Sequence, residues 1–333
     1  MLCLLNKRFI RFFLLLSVFT LNVFTLSISA QDSTRDSDQD DVKPVRKIHR
    51  KGFEFGLSMG TYFANNYTAS LYNGMGFDAN GNPNTTFLNS AMYEKIVNEW
   101  GGGPANEYGG SPGSGGTTYP DRLAPLLGVQ TGTWSFDSTD MPGKMHYNIA
   151  FEIGVQTRYF VNDKNAIILN VDAAQLTIGG AFTIGEYSTV THSTTPDTLE
   201  MQTFAIAGQE ERLIFQPGWQ HIFGDDDQFN FFIEGGPIFT MAKFQMNDII
   251  INGTVIDLRT YYSPITNYVT QQARNLTGVG IGAFAGFGLN LQANSKYALQ
   301  LVYNPSFEKI ALGPNPPFTM QNSIQLRVCY KVK

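Results

Sequence analysis

The sequence predicts an all-β fold: a transmembrane, antiparallel, up-and-down β-barrel of eight strands with long extracellular loops. Only 15% of the 333 residues are charged, 13% are aromatic, and 33 are glycine. This composition is typical of a barrel wall with one face toward lipid and small residues inside. The mean hydropathy of −0.13 excludes a helical membrane bundle. The formal charge of −5 excludes nucleic-acid binding through bulk positive charge.

The start of the chain has the layout of a secretory signal peptide. Three basic residues precede an apolar stretch over residues 12–26, and small residues lead to a cleavage position near Ala30. A membrane anchor helix is the alternative, but the apolar stretch is short and contains Asn22. We therefore assign residues 1–30 to a signal peptide.

The next segment, residues 31–51, is predicted to be a disordered periplasmic segment. Five aspartates are followed by five basic residues, with almost nothing apolar among them. Cleavage after Ala30 also removes Cys3, so the mature chain keeps Cys329 alone. No intramolecular disulfide is therefore expected.

From residue 52 to residue 333, the predicted barrel domain, apolar residues alternate with polar or small ones. A period of two indicates strands with one face toward lipid. The clearest case is residues 278–291, where Val279, Ile281 and Phe287 alternate with glycines and other inward residues. The eight predicted strands are residues 53–60, 147–159, 167–174, 213–220, 229–240, 278–291, 297–303 and 324–332.

The connections between these strands alternate in length, which orients the barrel. Outer-membrane barrels have short periplasmic turns and long extracellular loops, so both chain ends are expected in the periplasm. Aromatic residues at the predicted strand ends fit the two membrane interfaces. The short turns are residues 161–165, 224–228 and 293–296, and the long connections are residues 65–143, 181–206, 244–275 and 305–320.

In this pattern of strands and loops, residues 53–333 resemble the small outer-membrane barrels of the OmpA/OmpX type from Gram-negative bacteria. The resemblance implies an eight-stranded barrel in the outer membrane of the cell. It carries over no functional residue, because it rests on no local motif. Such barrels end on an aromatic residue, whereas this chain ends Tyr330-Lys331-Val332-Lys333.

Inward-pointing charges are expected to form a network, because side chains fill the interior of an eight-stranded barrel and buried charges persist when paired. Four acids would face four bases. Two interpretations remain open: a salt-bridge network that closes the barrel, or a polar pathway with a proton-coupled site. The predicted network consists of Glu54, Glu152, Arg158, Asp172, Arg212, Glu234, Arg327 and Lys331.

The first long loop, residues 65–143, is predicted to contain a helix over residues 85–100. Asn84 or Thr85 can cap its start, and a glycine run ends it. Two interpretations of its apolar stripe are open: a surface that binds a partner, or a face packed on the loop itself to close the barrel mouth. The stripe consists of Leu88, Met92, Ile96 and Trp100.

Two other loops contain strand-like segments. Asn252-Gly253 lies between two apolar runs and predicts a hairpin over residues 249–256 with a type I′ turn. That hairpin would extend the barrel wall above the membrane. Residues 188–191 and 199–204 are candidates for a similar extension.

Catalytic combinations are few. His146 with Asp137 or Asp140, and the adjacent His192 and Ser193, are the candidates for a lipid-modifying site. Adjacent residues on an extended chain point in opposite directions, which argues against the second pair. The sequence has no metal-ligand, nucleotide-binding or EF-hand spacing. No catalytic residue, metal site or cofactor is therefore assigned.

The sequence supports a non-enzymatic outer-membrane barrel whose extracellular loops bind a partner, in the manner of an accessory subunit of an envelope assembly, secretion or transport complex. A narrow channel or small-ligand transporter is the first alternative. A lipid A-modifying enzyme is the second. The expected partners are outer-membrane lipid and another envelope protein, and no nucleic acid.

Overall fold

The computed structural model of the chain describes most of the predicted barrel domain. The predicted signal peptide lies outside the described residues, as does the predicted leader except for Arg50. Among the described residues, no helix is both long and apolar enough to cross a membrane. The described residues are 50, 52–77, 82–101, 121–187, 199–224, 228–259, 276–294, 296–313 and 315–332.

Eleven strands lie in the described part of the chain, and all of their pairings are antiparallel. Their bounds are β1 Gly52–Phe63, β2 Trp134–Ser135, β3 His146–Tyr147, β4 Ala150–Asn162, β5 Asn165–Tyr187, β6 Leu199–Phe223, β7 Phe229–Ile251, β8 Thr254–Asp257, β9 Thr277–Gln292, β10 Tyr297–Ile310 and β11 Thr319–Lys331.

Eight of these strands close into a ring, which confirms the predicted fold. The order around the ring is β1-β4-β5-β6-β7-β9-β10-β11, and β11 returns to β1. The closing pair runs in register from Glu54 opposite Lys331 to Phe63 opposite Asn322. Closure removes the free sheet edges, so the ladders satisfy the backbone N–H and C=O groups without water.

The outward side chains of the ring form an apolar band. Ile281 on β9 is 53% exposed, and Phe151 on β4 and Leu326 on β11 are also exposed. Inward neighbours such as Gln156 and Asn170 are buried. This distribution, apolar outside and polar inside, is the reverse of a water-soluble barrel and is that of a wall in contact with lipid.

Three strands of the wall continue well beyond the band on the side of the long connections, which we call the loop end. β5, β6 and β7 each have more than 20 residues. The predicted long loops 181–206 and 244–275 are therefore partly wrong, because β5 runs to Tyr187, β6 begins at Leu199 and β7 runs to Ile251. The fourth predicted loop is also shorter, since β10 reaches Ile310.

The missed extension has a simple cause in the side-chain pattern. In the membrane part of β5 the outward residue Leu169 is exposed and apolar, whereas beyond residue 175 the buried residues Leu176, Ile178 and Phe182 are the apolar ones. The alternation of inward and outward positions continues along β5, but beyond residue 175 the apolar residues occupy the inward positions instead of the outward ones. A pattern of apolar outward residues therefore ends before the strand does.

The predicted hairpin at the end of β7 is present. Ile249 pairs with Ile256 across it, and Asn252 and Gly253 have φ angles of 45° and 86°. Positive φ at both central positions is what a type I′ turn requires. The hairpin extends the wall at the loop end, as the sequence predicts.

The first long loop folds into several short elements. A single turn covers Thr68–Tyr72, a short helix α1 covers Ala91–Tyr93 and continues as a π-helix over Glu94–Trp100, and α2 covers Leu123–Leu127. The predicted start of the helix near residue 85 is wrong. Asn84 instead donates its Nδ2 to the Met75 carbonyl at 3.0 Å, and Ser90 caps α1 by accepting from the Tyr93 N–H at 3.0 Å.

Placing a charge on the outer face of β9 tests the assignment of the wall to lipid. Phe287→Arg should destabilise the folded barrel by about 2–4 kcal/mol, because Phe287 is an exposed outward residue away from both ends of the band and the guanidinium would lie in hydrocarbon. The measurement is the free energy of unfolding in urea after folding into phospholipid vesicles. Val255→Arg is the matched control, since Val255 is 59% exposed on the hairpin beyond the band. Equal costs for the two variants would contradict the assignment.

Candidate functional site

The barrel interior contains a lower polar network, close to the short turns. It runs from Glu54 through Arg158, Gln220 and Glu234 to Arg327. Arg158 donates to the Glu54 carboxylate at 2.5 Å and to the Gln220 Oε1 at 3.0 Å. Gln220 donates to Glu234 at 3.0 Å, and Arg327 Nη1 donates to both Glu234 oxygens at 2.8 and 3.0 Å. These bonds connect side chains on five different strands across the interior.

Arg327 forms an ion pair with one acid, Glu234, among the described residues. Its Nε donates to Gln325 at 3.0 Å, and Gln325 donates to Glu152 at 2.9 Å. Asp172 accepts from the Ser58 hydroxyl at 2.9 Å. Neutral donors rather than arginines therefore bond to Glu152 and Asp172, and the Oδ2 atom of Asp172 has no hydrogen-bond partner among the described residues.

A second, upper network lies at the loop end of the interior and centres on Arg212. Its Nε donates to Glu210 at 2.6 Å, and its Nη atoms donate to the Tyr62 hydroxyl at 3.0 Å and the Thr68 hydroxyl at 3.2 Å. Tyr147 donates to Glu210 at 2.5 Å. Because Thr68 belongs to the first loop, this network joins that loop to the barrel wall.

The composition of the interior differs from the prediction in three residues. Glu210 and Glu308 are fully buried acids that the sequence interpretation missed. Glu210 lies two residues before Arg212, and Glu308 lies two residues after Ser306. Both acids lie beyond the predicted strand ends, and extending the period of two would have placed them on the inner face. Lys331 is only half-buried, at the end of β11. Among the described residues the two networks and the acids next to them therefore comprise six acids and three arginines, instead of four acids and four bases. A seventh buried acid, Glu186, lies nearer the loop end of β5.

The first loop packs on the inner face of the extended wall, and we call this packed unit, residues 62–147 as described, the cap. Tyr72 stacks on Phe244 of β7 with 4.3 Å between ring centroids. A Cβ at Gly208 would lie 2.3 Å from the Tyr72 ring, so only glycine allows this contact. The Tyr72 hydroxyl also donates to Glu210 at 3.3 Å. The cap thus has its own apolar core and a polar attachment to the barrel.

The four residues of the predicted apolar stripe have different environments. Met92 and Ile96 are completely buried in the core of the cap, so they are not a surface for a partner. Trp100 is half-buried, and the guanidinium of Arg122 lies over its ring at 4.6 Å. Leu88 is 58% exposed. The stripe therefore mainly closes the barrel mouth, and Leu88 alone of the four is a large exposed contact.

A small concavity of about 160 Å³ lies on the outside of the cap. Tyr67, whose side chain is 48% exposed, forms one side. The other side belongs to the connection between β10 and β11. The lining residues are Tyr67, Thr68, Ser70, Leu71, Pro83, Gly313 and Pro316.

The candidate catalytic residues do not come together in the described part of the chain. Asp140 accepts from the Thr183 hydroxyl at 2.7 Å, and Asp137 accepts from the Thr139 hydroxyl at 2.6 Å. His146 is exposed and makes no hydrogen bond to either aspartate. His192 and Ser193 lie outside the described residues. No group of three metal-ligating side chains forms among the residues that the structure describes.

The filled interior, the closed ring and the apolar band decide where the chain is located. Closed antiparallel barrels with an even number of strands, an apolar outer band and aromatic residues at its ends are structures of outer membranes. Aromatic pairs mark the short-turn end, with Phe53 and Tyr159 at 4.8 Å and Tyr297 and Tyr330 at 5.2 Å. The protein is an outer-membrane β-barrel.

Comparisons with known proteins give distant structural similarities. The attachment invasion locus protein Ail of Yersinia pestis has 10% identity and a TM-score of 0.30, with 84% of this chain and 99% of that chain covered. The N-terminal barrel domain of Pseudomonas aeruginosa OprF has 13% identity and a TM-score of 0.23, with 56% and 90% covered. A P. aeruginosa FadL homologue has 9% identity and a TM-score of 0.21, with 84% and 90% covered. No family model and no curated protein matches the chain.

Arg327 provides a test of the lower network. Arg327→Ala would leave the buried Glu234 carboxylate without its cation and should destabilise the barrel by about 3–5 kcal/mol. The double variant Arg327→Met/Glu234→Gln should recover most of this loss, because it removes both charges. The measurement is the free energy of unfolding in phospholipid vesicles, with Lys296→Ala in an exposed turn as control. A loss for Arg327→Ala no larger than for the control would contradict the network.

The hairpin at the loop end provides a pH test. Burial, followed by the neighbouring Asp257 carboxylate, raises the pKa of Asp248 to about 6, against the opposing effect of Arg259. Between pH 4 and 6 the folded hairpin then binds more protons than the unfolded chain, so its stability should fall as pH rises through this window. Hydrogen exchange of the β7–β8 amides, corrected for intrinsic rates, measures this stability. Asp248→Asn should abolish the pH dependence, and Asp137→Asn should leave it unchanged.

Proposed function

We propose that this chain is a non-enzymatic outer-membrane barrel whose extracellular cap binds another envelope protein. The observation that carries the proposal is the cap itself. A first loop that only connected two strands would not need a buried apolar core, a helix and a polar attachment to the barrel interior. Long loops with such structure usually have a binding role.

The cap offers a preformed surface, which favours binding. Its core residues Tyr72, Met92 and Ile96 are completely buried, and Arg212 and Glu210 attach the cap to the wall. A partner would therefore meet a surface that is already ordered, and the entropic cost of ordering a loop on binding would be small.

Beyond the end of β1, two large apolar side chains in the described part of the cap remain available for contact. Tyr67 and Leu88 are 48% and 58% exposed. Tyr67 borders the concavity that also contains Leu71, Pro83 and Pro316. An aromatic ring beside a small apolar concavity is a frequent centre of protein–protein interfaces.

The interior supports binding rather than conduction. Arg327 and Glu234 bond across the lower half of the barrel, as do Asn304 and Gln216 at 2.9 Å. These side chains occupy the space that a pore would need. We therefore propose that the barrel forms no steady channel, and the dispersed histidines give an enzymatic role no support.

Site-specific photo-crosslinking in intact cells tests the proposal. A crosslinking residue at position 67 or 88 should capture the same protein of the outer membrane, and one at Val255 on the hairpin should not. Tyr67→Ala and Leu88→Asp should each reduce co-purification of that protein about tenfold, because contacts at an interface centre contribute about 1–2 kcal/mol. Val255→Asp is the matched control.

Three results would contradict the proposal. The first is equal capture from positions 67, 88 and 255, which indicates random encounters. The second is unchanged co-purification with Tyr67→Ala and Leu88→Asp. The third is a steady conductance of the purified protein in planar bilayers, which favours the channel alternative.

A further inference from the structure

The lipid-facing wall contains a groove between β9 and β10. Contact with bulk lipid requires only apolar side chains and does not explain a concave surface. The volume of the groove is about 280 Å³. It opens on the outer face of the barrel, because Ala283, Ala285 and Phe307 on its margins are exposed outward residues. The lining residues are Ala283, Phe284, Ala285, Pro305, Ser306, Phe307 and Met320.

A local break in the sheet produces the groove. The ladder between β9 and β10 pairs Tyr303 with Phe287 and resumes with Ser306 opposite Phe284, without pairs between them. Pro305 lies in this interval and has no N–H to donate. The outward side chains beside Pro305, at positions 283 and 285, are alanines. The outer surface of the wall is therefore recessed where the ladder is interrupted.

The recess in the outer surface extends onto the neighbouring strands β7 and β6. The ladder between β6 and β7 is interrupted between Phe215 opposite Phe239 and Trp219 opposite Gly235. Pro217 and Pro237 lie in the interval, and a Cβ at Gly236 would be 2.2 Å from the Pro217 carbonyl oxygen. Small residues and prolines therefore replace the large apolar side chains found elsewhere on the band.

Large side chains and one cation border the groove on its extracellular side. Phe307 and Met320 are opposite each other on β10 and β11, and Phe307 stacks on Phe318 at 5.5 Å. Lys309 follows on the outward face of β10, opposite Ile281. Among the described residues Lys309 has no carboxylate partner.

The spacing between the groove and Lys309 matches one leaflet of a membrane. Four residues separate Pro305 from Lys309, which is about 13 Å along a strand and about 10 Å along the membrane normal at a strand tilt of about 40°. Half of the apolar band of such a barrel is about 12 Å tall. An apolar chain in the groove would therefore reach the headgroup level close to the Lys309 ammonium.

We propose that the groove binds one acyl chain of a phosphorylated lipid of the outer leaflet, and that Lys309 contacts its phosphate. Inside a bilayer the hydrophobic effect does not distinguish a groove from bulk lipid, so shape and the headgroup contact decide the binding. The groove supplies close packing for one chain, and Lys309 supplies an opposite charge for the phosphate. This site is independent of the cap and of the protein partner proposed for it.

Native mass spectrometry of the full chain, purified in mild detergent with added lipid A, tests the proposal. The wild type should retain one lipid A molecule. Ala283→Leu/Ala285→Leu fills the groove from its outward side and should lower retention at least fivefold. Lys309→Gln should lower retention about threefold, and this effect should vanish with dephosphorylated lipid A.

Two variants serve as matched controls. Ala173→Leu makes the same change at an exposed, outward position of β5, and Lys296→Gln removes a charge from an exposed periplasmic turn. Neither should change retention. The proposal is overturned if filling the groove leaves lipid A bound, or if Ala173→Leu lowers retention equally. It is also overturned if the wild type forms dimers that only the groove variant loses, which would assign the groove to a second copy of this chain.

Discussion

The structure depends on the requirement that every backbone polar group in the membrane has a partner within the protein. Ring closure between β1 and β11 meets it along the ladders, except in the two short intervals at Pro305 and at Pro217, and a ring of eight strands leaves room for side chains only. The interior must then satisfy its own polar groups without bulk water. Arginines bond to some acids, as in Arg327 with Glu234, and neutral donors bond to others, as in Ser58 with one oxygen of Asp172. A closed interior leaves the loops and the outer wall as the surfaces available for binding.

The fold was largely predictable from sequence because lipid imposes a simple rule on each strand. Outward residues such as Leu169 and Ile281 are apolar, and their neighbours are small or polar. The same rule did not predict the extension of β5, β6 and β7 at the loop end. There water replaces lipid outside and the cap replaces polar residues inside, so apolar residues such as Ile178 occupy the inner face. The backbone alternation is continuous across this boundary, and the solvent on the outer face is what changes.

The candidate sites were less predictable, because they depend on neighbours that only the folded wall provides. Alternation alone identified Arg158 and Glu234 as inward residues, but Glu308 lay in a segment predicted to be a loop. A helical stripe was visible around Met92, and its burial depends on the inner face of β7, far away in the sequence. The groove beside Pro305 arises from the register of β9 against β10. This register cannot be predicted from the sequence alone.

The reversal of apolar character along β5, β6 and β7 also fixes how deeply the protein sits in its membrane. Immediately above the band the outward residues are Gln175, Glu211 and Lys243, all exposed. Sinking the barrel by one residue pair would bring such groups into hydrocarbon, and raising it would bring apolar side chains into water. The wall therefore matches one hydrocarbon thickness, about 25 Å for barrels of this type. In a thicker bilayer the surrounding lipid must become thinner at a cost for each ångström of mismatch, so the protein will favour the thinner regions of its membrane.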